Sequence, residues 1–160
     1  MKTLVAYFSA TGTTGVVATE LAKAINADVY EIVPDVPYTN DDLNWRDENS
    51  RSSIEMKDDT SRPVIGSPKL ENMDQYDVIF LGGPIWWYKL SHIINTFLES
   101  YDMSGKTIVL FATSGSSGFG NTVEALEDSA PGARIVEGAV LNGTKTSEEL
   151  KLFAERYLKD

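Results

Sequence analysis

The chain has 160 residues, 42% of them hydrophobic, no cysteine and a formal net charge of −10. This length suits one globular domain spanning residues 1–160 and is short for two. Without cysteine, disulfides, thiolate nucleophiles and iron–sulfur clusters are excluded, so any redox chemistry must come from a bound group. The acidic balance argues against a nucleic-acid partner and suits a basic protein partner, although it is also what keeps many domains in solution.

Membrane insertion and secretion are not expected from this sequence. No apolar run approaches the roughly 20 residues needed to cross a bilayer. The N-terminus leads directly into a strand-like run, without a basic region followed by a cleavable apolar segment. We therefore expect a cytoplasmic protein without a membrane partner.

Five strand-like runs alternate with helical patterns, which indicates a parallel sheet built from βαβ units. Three runs are continuously apolar, as expected of central strands covered by helices on both faces: residues 4–8, 78–81 and 108–112. Two runs contain charged residues, which suits the sheet edges: residues 29–33 and 134–136. The predicted fold is an α/β three-layer sandwich whose five-stranded parallel sheet has the order 2-1-3-4-5.

The helical segments differ in how clearly they are marked. We predict that Ser91 caps the helix after the third strand, and that Thr146 and Glu149 form a capping box at the last helix.

Residues 35–59 hold eight acidic and three basic residues and few apolar ones. We predict one short helix near residues 41–48 there, within a mobile loop that is either a solvated crossover or part of a docking surface.

Hydroxyls and small residues follow the first strand directly before the first helix: Ser9, Ala10, Thr11, Gly12, Thr13 and Thr14. Amides at a helix start favour an anion, and the hydroxyls can add donors around a phosphate. A nucleoside-triphosphate loop would need a Lys after the glycines, and none occurs between Lys2 and Lys23. A dinucleotide fingerprint needs a further glycine, although Glu31 could serve as a ribose-binding acid. We favour the remaining interpretation, a mononucleotide.

Two further loops follow the third and fourth predicted strands, at the sheet edge where open α/β sheets bind ligands. Candidate ligand contacts in the second loop are Pro84, Ile85, Trp86, Trp87 and Tyr88. Its aromatic rings suit a flat partner, although any one of them could instead be a hydrophobic plug over the sheet. The third loop is either a surface turn or a backbone that closely approaches the polar edge of such a ligand. Its candidates are Thr113, Ser114, Gly115, Ser116, Gly118, Phe119 and Gly120.

The pattern Ser/Thr-x-Thr-Gly-x-Thr at residues 9–14, the two later loops and the αβ alternation over nearly the whole chain resemble the flavodoxin family. This resemblance implies noncovalently bound FMN with its 5′-phosphate on residues 9–14. It also implies a small electron-transfer protein, monomeric or weakly dimeric, that works with redox protein partners and has no catalytic or metal-ligating residue.

The sequence departs from the electron-carrier flavodoxins in its second loop. Those proteins resemble one another in placing Gly after the first stacking aromatic, whereas Trp86 is followed by Trp87. The chain is more similar here to flavodoxin-like flavoproteins. The alternative function is therefore an FMN-dependent NAD(P)H:quinone or nitro reductase. The single histidine, His92, could tune flavin protonation or donate to a substrate, or it could be structural.

Overall fold

The computed structural model describes residues 2–10, 12–86, 89–113, 119–120, 122–141 and 145–158. Its strands are β1 (Thr3–Tyr7), β2 (Asp28–Glu31), β3 (Val78–Trp86), β4 (Lys89–Leu90), β5 (Thr107–Thr113) and β6 (Arg134–Val140). Its helices are α1 (Thr13–Ile25), α2 (Arg51–Lys57), α3 (Ile93–Glu99), α4 (Thr122–Glu127) and α5 (Ser147–Leu158), with a 3₁₀ turn at Met73–Gln75.

Five strands form a parallel sheet in the order β2-β1-β3-β5-β6, which confirms the predicted strand order and both predicted edges. Tyr7, where β1 ends, lies opposite Gly82, and β3 and β5 continue in register as far as Pro84 opposite Thr113. The sixth strand, β4, is an addition to the prediction. It runs antiparallel to the end of β3, with Trp86 opposite Lys89. Its two residues are too few to show a periodic pattern in the sequence.

The hydrophobic core lies in two layers, one on each face of the sheet, because successive side chains of a strand point to opposite faces. Val5 and Phe80 pack with the apolar residues of α1 and α5 on one face. Leu4 and Ile79 pack with those of α3 and α4 on the other. The sheet is therefore covered on both faces, as its continuously apolar strands predict. None of the helices in the described ranges has the length and apolar character of a membrane span.

Helix starts agree with the prediction at α5 and differ at α3. The amide of Thr146 donates to Glu149 Oε1 at 3.0 Å and the amide of Glu149 donates to Thr146 Oγ1 at 3.1 Å, which confirms the capping box. The predicted cap at Ser91 is wrong. Its buried hydroxyl has no hydrogen-bond partner among the described residues, and α3 begins after His92, whose backbone is already helical.

The predicted helix at residues 41–48 is also wrong, because turns occupy that stretch and α2 follows it. Asn44 Oδ1 accepts from the amide of Arg46 at 3.2 Å, and Asp47 Oδ1 accepts from the amide two residues later at 2.9 Å. Such local bonds give the backbone an alternative to helical pairing. The helix begins only where Ser50 offers a side-chain cap.

The close packing of β3 against β5 can be tested at two adjacent glycines. A Cβ at Gly82 would lie 2.3 Å from ring atoms of the buried Phe111, so Gly82→Ala should lower the free energy of unfolding by about 1–3 kcal/mol. A Cβ at Gly83 would meet Ile94 at an ordinary 3.4 Å, so Gly83→Ala is the matched control and should cost less than about 1 kcal/mol. Urea denaturation measures both; equal losses would contradict the packing.

Candidate functional site

The first and third predicted loops meet at the carboxyl edge of the sheet through two threonines. The hydroxyl oxygens of Thr14, in the first turn of α1, and Thr113, at the end of β5, are 2.7 Å apart, and both side chains are buried. Thr113 also lies opposite Pro84 in the β3–β5 register, which places the second loop beside them. Side chains about a hundred positions apart in the sequence thus form one site.

Gly12 sets the path of the first loop. Its φ of +93° lies in the left-handed region, and a Cβ there would meet nothing within 4 Å, so the requirement for glycine is conformational rather than spatial. Ser9 Oγ accepts from the amide of Gly15 at 3.1 Å, which ties the loop to the first turn of α1. Of the other predicted contacts, Ala10 is half-buried, Thr13 is exposed, and Thr11 lies outside the described residues.

The start of α1 is electrostatically suited to an anion. No acidic residue lies in the first turn of the helix. The partial positive charge at the helix start is therefore not opposed by a neighbouring carboxylate. A bound anion would be held by backbone amides and hydroxyls, because residues 3–22 contain neither Lys nor Arg.

Trp86 in the second loop packs edge-on against two aromatic rings. Its ring centroid is 6.0 Å from that of Phe8 and 5.5 Å from that of Tyr38, with interplanar angles of 89° and 69°. Trp86 is half-buried, so these rings hold its plane while part of its surface stays open. Pro84 is half-buried and Ile85 is buried opposite Leu90; Trp87 and Tyr88 lie outside the described residues.

Tyr38 is absent from the predicted site residues, and the structure brings it to the second loop. Its hydroxyl donates to Glu55 Oε1 at 2.5 Å, and the guanidinium carbon of Arg51 lies 3.8 Å from its ring centroid. Arg51 also pairs with Glu55 at 3.0 Å. Burial, and then the hydrogen bond to Glu55, raise the pKa of Tyr38, so its hydroxyl stays protonated. The only sequence signal is an aromatic ring within a polar, acidic segment.

The third loop is described only in part. Phe119 is 4% exposed and belongs to the core on the α3 side, and its carbonyl oxygen accepts from the amide of Thr122 at 3.0 Å. Gly120 is exposed with a left-handed φ of +54°. Ser114, Gly115, Ser116 and Gly118 lie outside the described residues. A cofactor contact by this loop therefore stays a prediction.

The tautomer of His92 follows from its neighbour Ser61. The Ser61 hydroxyl has one proton, which it donates to the carbonyl oxygen of Glu55 at 2.7 Å. In its 2.6 Å contact with His92 Nδ1, Ser61 must therefore accept, so His92 carries its proton on Nδ1 and leaves Nε2 as an acceptor. Burial, and then the cations of Arg62 and Lys89, lower the pKa of His92, which makes the ring neutral at pH 7.

Comparisons with known proteins agree with this architecture. The chain belongs to the flavodoxin family, whose model matches residues 2–157. A candidate flavoprotein from Bacteroides eggerthii DSM 20697 is 46% identical over 99% of each chain, with a TM-score of 0.90. Another from Bacteroides uniformis ATCC 8492 is 49% identical over 96% of this chain and 97% of that chain, with a TM-score of 0.88.

More distant structures share the fold. A flavoprotein from Lactobacillus acidophilus NCFM, solved in complex with FMN, is 22% identical over 87% of this chain and 92% of that chain, with a TM-score of 0.67. No match to this chain is found among curated proteins.

The hydroxyl pair between the first and third loops is testable by a double-mutant cycle. Thr14→Val or Thr113→Val alone leaves the other buried hydroxyl unpaired and should lower the free energy of unfolding of the apoprotein by about 1–3 kcal/mol. Replacing both removes the unpaired group, so the double variant should lose less than the sum of the single losses. Chemical denaturation of the four proteins measures the coupling. Strictly additive losses would show that the two hydroxyls do not depend on each other.

The lowered pKa of His92 predicts a pH dependence of stability. The unfolded chain takes up a proton near the ordinary pKa of 6.5, before the folded chain does, so the free energy of unfolding should fall as the pH drops below that value. Arg62 and Lys89 oppose the proton on the ring and Asp59 favours it. Thermal unfolding from about pH 7.5 to about pH 5.5 should show a steeper loss for the native protein than for His92→Gln. Parallel curves would contradict the shift, because both proteins share the same carboxylates.

Proposed function

We propose that the protein binds FMN noncovalently in the three-loop site and acts as a small electron-transfer protein of the cytoplasm. The observation that carries this proposal is the convergence of an anion-suited helix start, an open aromatic ring and a buried hydroxyl pair at one sheet edge. Membership of the flavodoxin family supports FMN as the ligand, as does the FMN held by the Lactobacillus acidophilus protein of the same fold.

The residues present suit a phosphate joined to a flat ring. The left-handed Gly12 turns the chain into α1, whose first amides are the proposed phosphate donors together with the hydroxyls of residues 9–14. The second loop, residues 113–116 and residues 118–120 are the proposed contacts of the ring system. Phe8 and Tyr38 would keep Trp86 in one orientation and limit water beside it. When bound, FMN would supply the electron transfer that a chain without cysteine cannot provide.

The proposed partners are redox proteins with a basic docking surface. The net charge of −10 would steer such proteins toward this one and would repel nucleic acid. We propose a monomer or a weak dimer, since electron carriers exchange partners rapidly and large permanent interfaces would hinder that exchange.

FMN titration of the apoprotein tests the proposal, with quenching of flavin fluorescence as the readout. Thr11→Val removes a hydroxyl donor, and Gly12→Val forces a β-branched residue into a left-handed backbone. Each should weaken FMN binding about tenfold or more. Thr107→Val, at the opposite end of β5, is the matched control and should bind as the native protein does. Absence of binding by the native protein would remove the FMN proposal, and native affinity in both loop variants would remove the phosphate assignment.

A second measurement separates an electron carrier from an FMN-dependent reductase. The reductase is favoured by the sequence at the second loop, where Trp86 is followed by Trp87 rather than by Gly. The FMN-loaded protein is mixed with NADPH and a quinone or a nitroaromatic compound. A carrier should oxidise NADPH at a rate close to that of free FMN until a separate reductase protein is added. Rapid turnover by the isolated protein would instead assign it as a reductase.

A further inference from the structure

The contact between the Thr14 and Thr113 hydroxyls leaves one proton without an acceptor. Each hydroxyl carries a single proton, and the 2.7 Å contact between the two oxygens uses one of them, whichever threonine donates. The other proton has no acceptor among the residues that the structure describes. Thr14 is 2% exposed and Thr113 is 7% exposed, so bulk water does not solvate the pair freely. Because a buried donor without an acceptor costs free energy, the pair suits a ligand that brings an acceptor atom.

The surroundings of the two hydroxyls indicate which of them donates to the ligand. Thr14 lies in the first turn of α1, at the positive end of the helix dipole, and no acidic residue lies in that turn. Thr113 is the last residue of β5 and lies opposite Pro84, on the side of the second loop. A phosphate is therefore drawn toward Thr14, and the free proton belongs on Thr14 Oγ1. In the contact with Thr113, Thr14 Oγ1 must then be the acceptor.

We propose that Thr113 is a positioning residue for the phosphate of FMN and acts through Thr14, in a relay of two hydrogen bonds. Thr113 Oγ1 donates to Thr14 Oγ1, and Thr14 Oγ1 donates to a phosphate oxygen. The first bond fixes the rotation of the Thr14 hydroxyl, so its proton is directed away from Thr113 before the phosphate binds. Polarisation along the two bonds strengthens the one to the ionised acceptor.

The relay rests on the proposed binding of FMN and deepens it. The third loop was predicted to approach the ring system of the ligand, whereas the hydroxyl at its start serves the phosphate in this proposal. The phosphate is then held by two loops: directly by residues 9–14, and indirectly by Thr113. This link explains why two hydroxyls from distant parts of the chain are buried against each other at the edge of the sheet where the ligand is proposed to bind.

Paired titrations of the apoprotein with FMN and with riboflavin test the relay, because riboflavin has the same ring system and lacks the phosphate. Thr113→Val should weaken FMN binding about fivefold and leave the affinity for riboflavin unchanged. Thr113→Ser keeps a hydroxyl and should bind both flavins as the native protein does. Thr107→Val removes a hydroxyl at the other end of β5 and is the matched control, which should also bind both flavins like the native protein.

A double-mutant cycle on FMN binding shows whether Thr113 acts through Thr14. In a protein that already carries Thr14→Val, adding Thr113→Val should cause no further loss of FMN affinity, because the relay is already broken. Additive losses would overturn the relay, since Thr113 would then act on the ligand independently of Thr14.

The titrations separate failure of the relay from failure of the FMN proposal. If Thr113→Val keeps the native preference for FMN over riboflavin, the relay is overturned while FMN binding stands. An equal loss for both flavins would also overturn the relay, because the Thr113 hydroxyl would then serve the ring or the fold rather than the phosphate. Failure of the native protein to bind either flavin would remove the proposed function, and the relay with it.

Discussion

Burial of the central strands on both faces is the constraint from which the rest of the site follows. The five principal strands are joined by crossovers that place helices on both faces of the sheet, and they run parallel, so the chain leaves each of them at the same edge. β1 ends at Tyr7 beside Gly82, and β3 and β5 stay paired as far as Pro84 and Thr113, so the loops after the three strands leave the sheet at one edge. The Thr14–Thr113 hydroxyl pair then joins two of these loops where no strand pairing can reach. The site is therefore a consequence of sheet architecture, completed by one buried polar contact.

The segment between β2 and β3, which contains the acidic residues 35–59, is held against the rest of the fold by side-chain contacts at two places. Tyr38 meets the second loop, where Arg51 and Glu55 enclose its hydroxyl and ring. Further along, Ser61 links the carbonyl of Glu55 to the ring of His92 at the start of α3. The same short helix, α2, supplies the partners at both points. Residues 35–59, with eight acidic and three basic residues, are thereby held beside the candidate ring site.

The sequence was informative about the site wherever a residue type had a local reason for its position. Glycine and hydroxyls before a helix, and aromatic residues after a buried strand, indicated the first two loops, because capping and exposure are local properties. Tyr38 could not be identified in this way. It meets Trp86 only in the folded chain, where Glu55 accepts from its hydroxyl and Arg51 lies over its ring. The tautomer of His92 was equally hidden, since it follows from the contact of the ring with Ser61, thirty-one residues away.

Periodicity and chemistry along the chain determined the strand order, the capping box at Thr146 and the covering of the sheet on both faces, because burial imposes a repeat of two on strands and of 3.6 on helices. Tertiary structure alone decided the turns at residues 41–48, the strand β4 and the role of Ser91. Asparagine and aspartate bond to nearby amides as readily as they enter a helix. A two-residue strand has no period, and a serine caps a helix only if the chain presents its hydroxyl to a free amide. These outcomes depend on distant packing, which no local pattern records.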